Sequence, residues 1–445
     1  MDFNFPNDFL NRMSECLGNE TEAFLRSFDR SLKKALRINP LKINEDRFKE
    51  LTDIELLDKV PWCPDGFYID GNSHPGKSVL HDAGAFYVQE PSAMAVAELL
   101  MPERGDIMLD LCAAPGGKTT HIAGKMKDAG FLVSNEINFG RAKILSKNVE
   151  RMGIGNCIVT SNTPEELCNA FGCFFDKILI DAPCSGEGMF RTKEVAISQW
   201  SLDNIGYCVK RAKEILRCAI PMLKPGGIMV YSTCTFEVCE NEEMINYILS
   251  EFPEMERCDE APEYIKRNLS PGIYQDAGTY RVWPHRQDGE GHFLAKLKKR
   301  GEYNRSPFNS YKCKKNKLLD DFFEDCGITL PDGRLIAGKD EPALTPFDTG
   351  GMSLRVLRNG VKLGTIKKDR FEPDHALALY LSPGDIKKVF DMADPYAFLA
   401  GDSIPCDKDV KGWGIAAFEG LSLGWGKATG GVVKNHYPRG LRRNR

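Results

Sequence analysis

DIMLDLCAAPGGKTTHIAGKMKDAGFLVSNE, residues 106–136, runs from an apolar strand through a Pro-Gly-Gly turn into a helix, then out into a second apolar strand. The two strand stretches, DIMLDLCA and FLVSNE, are nearly continuous hydrophobic runs, the pattern expected of strands covered on both faces. Further along, GRAKILSKNVERMG reads as a helix ending at a glycine cap, CIVTSN as a strand, and PEELCNAF as a helix with Pro164 at its start. FDKILIDAP is a strand, AKEILRCAIPML a helix and GGIMVYSTC a strand. Regular alternation over residues 86–298 predicts an α/β fold, a mostly parallel sheet with helices on both faces. Upstream, residues 1–85 look mixed. FLNRMSECLG and EAFLRSFDRSLKKALR have helical spacing, and VPWCPDGFYIDG is extended. Residues 299–320 are polar and basic, a linker pattern. The rest, rich in Gly turns and short apolar segments, predicts a small β-rich domain.

The chain has 445 residues, enough for several domains. Its 15 cysteines are odd in number, scattered, and contain no Cys-x-x-Cys pair. That argues against a disulfide framework and against a zinc site of standard spacing, so no metal is expected and reduced thiols in a cytoplasm are. No apolar run is long enough to span a membrane, and the start MDFNFPNDFLNRM lacks the pattern of a signal peptide. Net charge is −4, so cations for nucleic acid would have to be concentrated locally. KLKKR (296–300), YKCKKNK (311–317) and KNHYPRGLRRNR (434–445) are the basic runs; any one of them is most often solvated surface.

The turn after the first strand places Cys112, Ala113, Ala114, Pro115, Gly116, Gly117 and Lys118 beyond the carboxyl end of the sheet, where a ligand binds in open α/β folds. Glu136 ends the second strand, where an acid commonly grips ribose hydroxyls. Position 112 is Cys rather than the Gly of a phosphate loop, and the dinucleotide fingerprint GxGxxG is absent. The reading favours S-adenosylmethionine, which has no phosphates to cradle.

Two cysteines leave neighbouring strands: Cys184 in DAPCSGEGMF (181–190) and Cys234 in YSTCTFEVCENEE (231–243). Adjacent strands lie roughly 5 Å apart, so both thiols can face one reacting atom, with Asp181 beside them. Carbon 5 of a pyrimidine is too weak a nucleophile to take a methyl group unaided. A thiolate adding to carbon 6 makes it reactive, the logic of covalent catalysis, and Asp181 suits the ring's N3/N4 edge. Taken singly, either cysteine is more often buried filler. Cys208, Cys218 and Cys239 are assigned to packing.

The stretches YVQEPSAM (87–94), LDLCAAPGGKT (109–119), ILIDAPCSGEGMFR (178–191), LKPGGIMVYSTCT (223–235) and GEGHFLAKL (289–297) resemble the NOL1/NOP2/Sun family of RNA 5-methylcytosine methyltransferases. Within it they are most similar to the bacterial 16S ribosomal RNA enzymes. The tail GWGIAAFEGLSLGWGKATGGVVKNHYPRGLRR (412–443) resembles their PUA-like RNA-binding domain. The resemblance implies an N-terminal α+β RNA-binding domain (1–85) and a Rossmann-like methyltransferase core with a mostly parallel seven-stranded sheet (86–298). It also implies an intermediate domain (305–375) and a PUA-like domain (376–445). It makes Cys234 the nucleophile and Cys184 the residue of product release. It assigns S-adenosylmethionine contacts to residues 112–118, Glu136, Arg141 and Asp181, with Asn162 where relatives carry an aspartate near the adenine. The implied partner is 16S rRNA, alone or within the 30S subunit, bound by a monomer; transfer RNA is the alternative substrate. Lys427, Lys434, Arg439, Arg442 and Arg443 are the candidate phosphate contacts, and Trp413, Trp425 and Tyr437 the candidate base-stacking residues. Two other classes compete. An amino-group methyltransferase needs a polar Asn-Pro-Pro-Tyr loop, which DAPC does not supply. A silent ribosome-assembly factor would have no need of both cysteines and Asp181.

Overall fold

The computed structural model describes residues 5–192, 194–303, 316–331 and 334–443. Residues 311–315 of the basic run 311–317 lie outside them.

Five parallel strands form the centre: β1 (Ile107–Asp110), β2 (Phe131–Asn135), β3 (Cys157–Thr160), β4 (Phe175–Asp181) and β5 (Leu223–Thr233). Their order is β5-β4-β1-β2-β3, so the chain reverses direction across the sheet between β1 and β4. Alternate residues separate two cores. Met108, Leu132, Val159, Leu179 and Val230 pack under α1 (Pro91–Leu100), α2 (Gly117–Met126) and α3 (Phe139–Arg151). Leu109, Val133, Ile158, Ile178, Ile180 and Met229 pack under α4 (Pro164–Phe171), α5 (Leu202–Met222) and α6 (Glu242–Glu251). The period of two on strands buried on both faces accounts for the continuous apolar runs in the sequence.

The sheet is wider than the expected seven strands. Four antiparallel strands follow β5: β6 (Met255–Arg257), β7 (Ser270–Pro271), β8 (Thr279–Val282) and β9 (His292–Lys299), with β9 pairing β5. At the opposite edge β10 (Val356–Asn359) pairs antiparallel with β3 and makes ten. That strand belongs to the stretch read as a separate intermediate domain. It closes an edge whose backbone groups would otherwise be unpaired. The KLKKR run is the end of β9, and its cations serve the fold. Lys296 is buried and donates to Glu260 O, Lys299 donates to Ile220 O and Leu223 O, and Arg300 pairs with Glu256.

The first 90 residues depart from the sequence reading at LKKALR. The helix stops at Ser27, and Lys34–Ile38 is a strand between Gly66–Ile69 and Phe86–Val88. Pairing on both sides overrides the helical spacing. The strand places Arg37, 1% exposed, against Gln89, Gly117 O and Thr120, tying this sheet to the start of α2. The two preceding helices, Asn7–Leu17 and Thr21–Ser27, bring Phe9, Met13 and Phe24 into a cluster with Phe190, Trp200, Phe236 and Trp283. Phe190 and Phe236 follow Cys184 and Cys234 in the chain, so the amino end braces the loops that carry both thiols.

At the carboxyl end a five-stranded sheet has the order Val389–Asp391, Gly412–Phe418, Leu421–Thr429, Val432–Asn435, Ile404–Pro405. Glu419 and Gly420 both take positive φ, as a tight two-residue hairpin requires. Trp425 and Tyr437, candidates for base stacking, are core: Trp425 donates to Asp374 O, and Tyr437 is 5% exposed. Trp413 is half-buried, with Lys427 Nζ 5.1 Å from its ring centre. Lys427, Lys434 and Arg439 are exposed, while Arg442 is half-buried against Gly401. Arg443 is committed elsewhere. Its guanidinium donates to Lys77 O and Ser78 O and pairs with Asp82, fastening the tail to the amino-terminal region. Replacing it leaves a half-buried carboxylate and three carbonyls, those of Gly76, Lys77 and Ser78, without this donor. Arg443→Ala is expected to cost about 1–3 kcal/mol in chemical denaturation. It is also expected to leave the salt dependence of RNA binding unchanged, where loss of a phosphate contact would flatten the slope by about one.

Candidate active site

The site lies at the carboxyl ends of β1, β2, β4 and β5, where the strand order reverses. The loop after β1 is held by its backbone: Leu111 N donates to Leu179 O at 3.0 Å and Ala113 N to Asn135 O at 2.8 Å. Gly116 has φ +113° and caps α2, a conformation that a side chain would strain. The loop residues 112–118 therefore form a fixed cradle over the ends of β1 and β2.

Three carboxylates converge around it. Burial pushes the Asp110 carboxyl up to about 7, against a 2.6 Å hydrogen bond from Thr119, and Asp181 and Glu136 raise it further. Glu136 Oε1 accepts from Asn138 N, while Arg141 reaches both Glu136 Oε2 at 3.2 Å and Ala114 O at 2.8 Å. Arg141 thus joins the acid to the loop. Asp181 receives Lys118 Nζ at 2.7 Å and Ser232 Oγ at 2.8 Å, and His292 Nε2 lies 3.5 Å away. Burial alone would raise the Asp181 carboxyl, but the Lys118 ammonium and His292 outweigh it and hold it well below the usual range. Among the described residues two buried atoms of this site have no hydrogen-bond partner, Asp110 Oδ1 and His292 Nε2. Such a crowd of acids, with one unpaired oxygen, suits a cationic ligand with hydroxyls to donate. A sulfonium nucleoside has both features, so the donor set fits S-adenosylmethionine.

Asn162 behaves differently. Its amide donates to Glu166 and accepts Arg355 N at 3.1 Å, and Ser161 N donates to Arg355 O at 3.0 Å. The side chain anchors the segment leading into β10, which becomes a wall on the β3 side.

The two thiols meet. Cys184 Sγ and Cys234 Sγ are 3.4 Å apart, each half-buried, and β4 and β5 are paired in register up to Asp181 opposite Ser232. The contact with Cys234, then burial, pushes the Cys184 thiol up, and either sulfur can donate to the other. Sequence reasoning missed the residues beneath them. Ser232 and His292 steady Asp181, and the buried acids Glu187 and Glu240 stand under the two loops. Glu187 and Glu240 lie in SGEGMF and CENEE, where acids look like surface. Elsewhere Cys63, Glu98 and His121 cluster in the core, where Glu98 is taken up by His121, Lys125 and Tyr264.

The strand order, the cradle and the acid at the end of β2 define an S-adenosylmethionine-dependent methyltransferase. Comparison with known proteins narrows this. Four family models match successive parts of the chain. They are the N-terminal domain of 16S rRNA methyltransferase RsmF (5–91), 16S rRNA methyltransferase RsmB/F (97–298), the RsmF first C-terminal domain (321–381) and the RsmF PUA domain (393–443). The ribosomal RNA small subunit methyltransferase F of Shewanella sp. (strain MR-4) is 34% identical over 94% of this chain and 92% of its own length. Its counterpart in Shewanella baltica (strain OS185) is 33% identical over the same shares. Among solved structures, a methyltransferase homologue from Pyrococcus horikoshii is 28% identical with a TM-score of 0.57, covering 66% of this chain and 96% of that one. NSun6 from Pyrococcus horikoshii, solved with SFG, shares the fold at 22% identity and a TM-score of 0.60, over 67% of this chain and 99% of that one. The chain belongs to the RsmB/F family of 16S rRNA methyltransferases.

Proposed function

We propose that the protein methylates carbon 5 of cytosine in small-subunit ribosomal RNA, with Cys234 as nucleophile. The observation that carries this reading is the 3.4 Å approach of Cys184 and Cys234 beside Asp181. Amino-group methylation has no use for such a pair.

Residues 112–118 cradle the cofactor, Glu136 takes its ribose hydroxyls, Arg141 holds Glu136 in place, and Asp110 and Asp181 face its positive charge. Asn162 shapes the adenine side through the Arg355 backbone rather than through its own amide. When bound, the cofactor supplies an electrophilic methyl group. The target base is unpaired or flipped out, since carbon 6 must be open to attack from the ring face. Cys234 adds to carbon 6, which turns carbon 5 into a nucleophile. Asp181 holds the N3/N4 edge, and Lys118 and Ser232 keep its carboxylate aimed. Once carbon 5 carries the methyl group, its proton passes to a solvent water, the electron pair left behind reforms the carbon 5–carbon 6 double bond, and the carbon–sulfur bond breaks with its electrons going to the Cys234 sulfur. Cys184 donates its S–H to the departing Cys234 sulfur and so favours expulsion. The exposed Lys427, Lys434 and Arg439 contact phosphates, and Trp413 offers a ring edge to a base. The enzyme acts as a monomer on 16S rRNA, free or in the 30S particle.

The test is methyl transfer from labelled S-adenosylmethionine to naked small-subunit rRNA and to 30S particles, read by bisulfite sequencing. Protected cytosines at discrete positions are the expected result. Label in N6-methyladenine, or none in either RNA, overturns the reading.

A further inference from the structure

Beneath the two thiols runs a buried chain of oxygens. Glu240 Oε2 lies 2.5 Å from Ser185 Oγ, Ser185 Oγ lies 2.7 Å from Thr235 Oγ1, and Thr235 Oγ1 lies 3.0 Å from Glu187 Oε2. Ser185 follows Cys184, and Thr235 follows Cys234. The chain is thus a second bridge between the thiol loops, parallel to the sulfur contact. A further tie is Gly188 N donating to Cys234 O at 2.9 Å.

Counting protons decides its state. Three oxygen–oxygen contacts need three hydrogens, because two lone pairs at these distances repel. The two hydroxyls supply two. The third must come from a carboxyl. Glu187 already accepts from Trp200 Nε1 at 2.8 Å and Phe236 N at 2.8 Å, besides Thr235. Glu240 Oε1 accepts Ser185 N at 2.9 Å, and its Oε2 faces the hydroxyls, with Ser185 Oγ nearest and Thr235 beside it. Glu240 is therefore the donor and Glu187 the anion.

We propose that Glu240 and Glu187 are positioning residues that hold the Cys184 and Cys234 loops together through one shared proton, carried by way of Ser185 and Thr235. The proposal rests on the cytosine-methylation reading only for the purpose of the clamp, not for its existence. Burial pushes both carboxyls up, Glu187 to about 8 and Glu240 to about 7, so one proton is retained near neutrality; the hydrogen-bond count, with two N–H donors on Glu187 and one on Glu240, places it on Glu240. The charged and titratable neighbours are Glu237, which Arg12 neutralises, the thiols of Cys184, Cys208, Cys234 and Cys239, and the Tyr231 hydroxyl, which donates to Glu240 O. As pH rises through the range of about 7 to 8 the shared proton is lost. One link then has no hydrogen, two anions sit under the thiols, and the loops part.

Phenylarsine oxide, which bridges neighbouring thiols, reads the separation without any substrate. In the full-length protein its affinity for the Cys184–Cys234 pair is expected to fall at least about tenfold between pH 7 and pH 9. Glu240→Gln supplies the third hydrogen permanently from its amide, so its affinity stays level relative to wild type across that range, and methyl transfer at pH 7 stays within about twofold. Glu187→Gln turns an amide donor toward Trp200 or Phe236 and is expected to weaken both affinity and methylation at every pH. If Glu240→Gln follows the wild-type pH dependence, or if Glu187→Gln is the better tolerated of the two, the shared proton is refuted. A wild-type protein that methylates no cytosine would sink the proposed function and leave the arsenical result standing.

Discussion

Cys234→Ala is expected to cut methyl transfer by more than about 10³-fold, as loss of a covalent nucleophile does elsewhere. The same change should abolish any RNA–protein adduct resistant to denaturing gels. Cys184→Ala is expected to do the opposite on that gel. Nucleophilic addition proceeds, but the departing sulfur has no S–H at 3.4 Å to receive it, so the methylated adduct accumulates. The asymmetry follows from the two proposed roles: Cys234 carries the bond to carbon 6, and Cys184 is the neighbouring thiol in contact with it. An adduct in Cys234→Ala and none in Cys184→Ala would exchange the two roles, as the Pro-Cys sequence around Cys184 allows.

The second large effect is at Asp181. Its carboxylate neutralises Lys118, whose side chain is 13% exposed, and orients Ser232. Asp181→Ala strands that cation in a site mostly closed to water. Breaking such a pair costs on the order of 3–5 kcal/mol when it is fully buried, and the lower end applies here because the Asp181 side chain is 29% exposed. Activity should fall by about 10²–10⁴-fold through loss of the hydrogen-bonding group on the base. Asp181→Asn separates the two losses. The amide keeps the shape and one acceptor, so folding recovers while methylation does not. The pH response has a definite sign. The native carboxyl ionises well below the ordinary 3.8. The stability contributed by the pair is therefore complete above pH 3.8 and is lost as pH falls through the lower, native value. Asp181→Asn should flatten that acid limb of the denaturation curve.

The central architecture was legible in the amino-acid sequence for a physical reason. Strands buried on both faces have no polar positions to confuse the reading, and a Gly-rich turn with an acid at the next strand end has few other uses. The thiol pair was legible because β4 and β5 are neighbours in the expected strand order. What escaped was set by tertiary contacts. Lys34–Ile38 has helix-forming residues at helical spacing, and two partner strands make it extended. β10 is four half-buried residues that become a strand only against β3. Glu187 and Glu240 look like surface acids, and only the hydroxyls of Ser185 and Thr235 reveal why they are inside. Arg443 reads as an RNA contact in a basic tail, yet its partners Lys77, Ser78 and Asp82 lie at the other end of the chain.

The late strand β10 has a consequence for biosynthesis. Protein emerges from the ribosome amino end first, so β3 and the pocket beside it are made long before residues 355–359 arrive to seal them. Until then the nascent sheet has a raw flank able to pair with another chain. A fragment ending at residue 303 should self-associate and hold its nucleoside loosely, and the enzyme should mature only when translation is nearly finished.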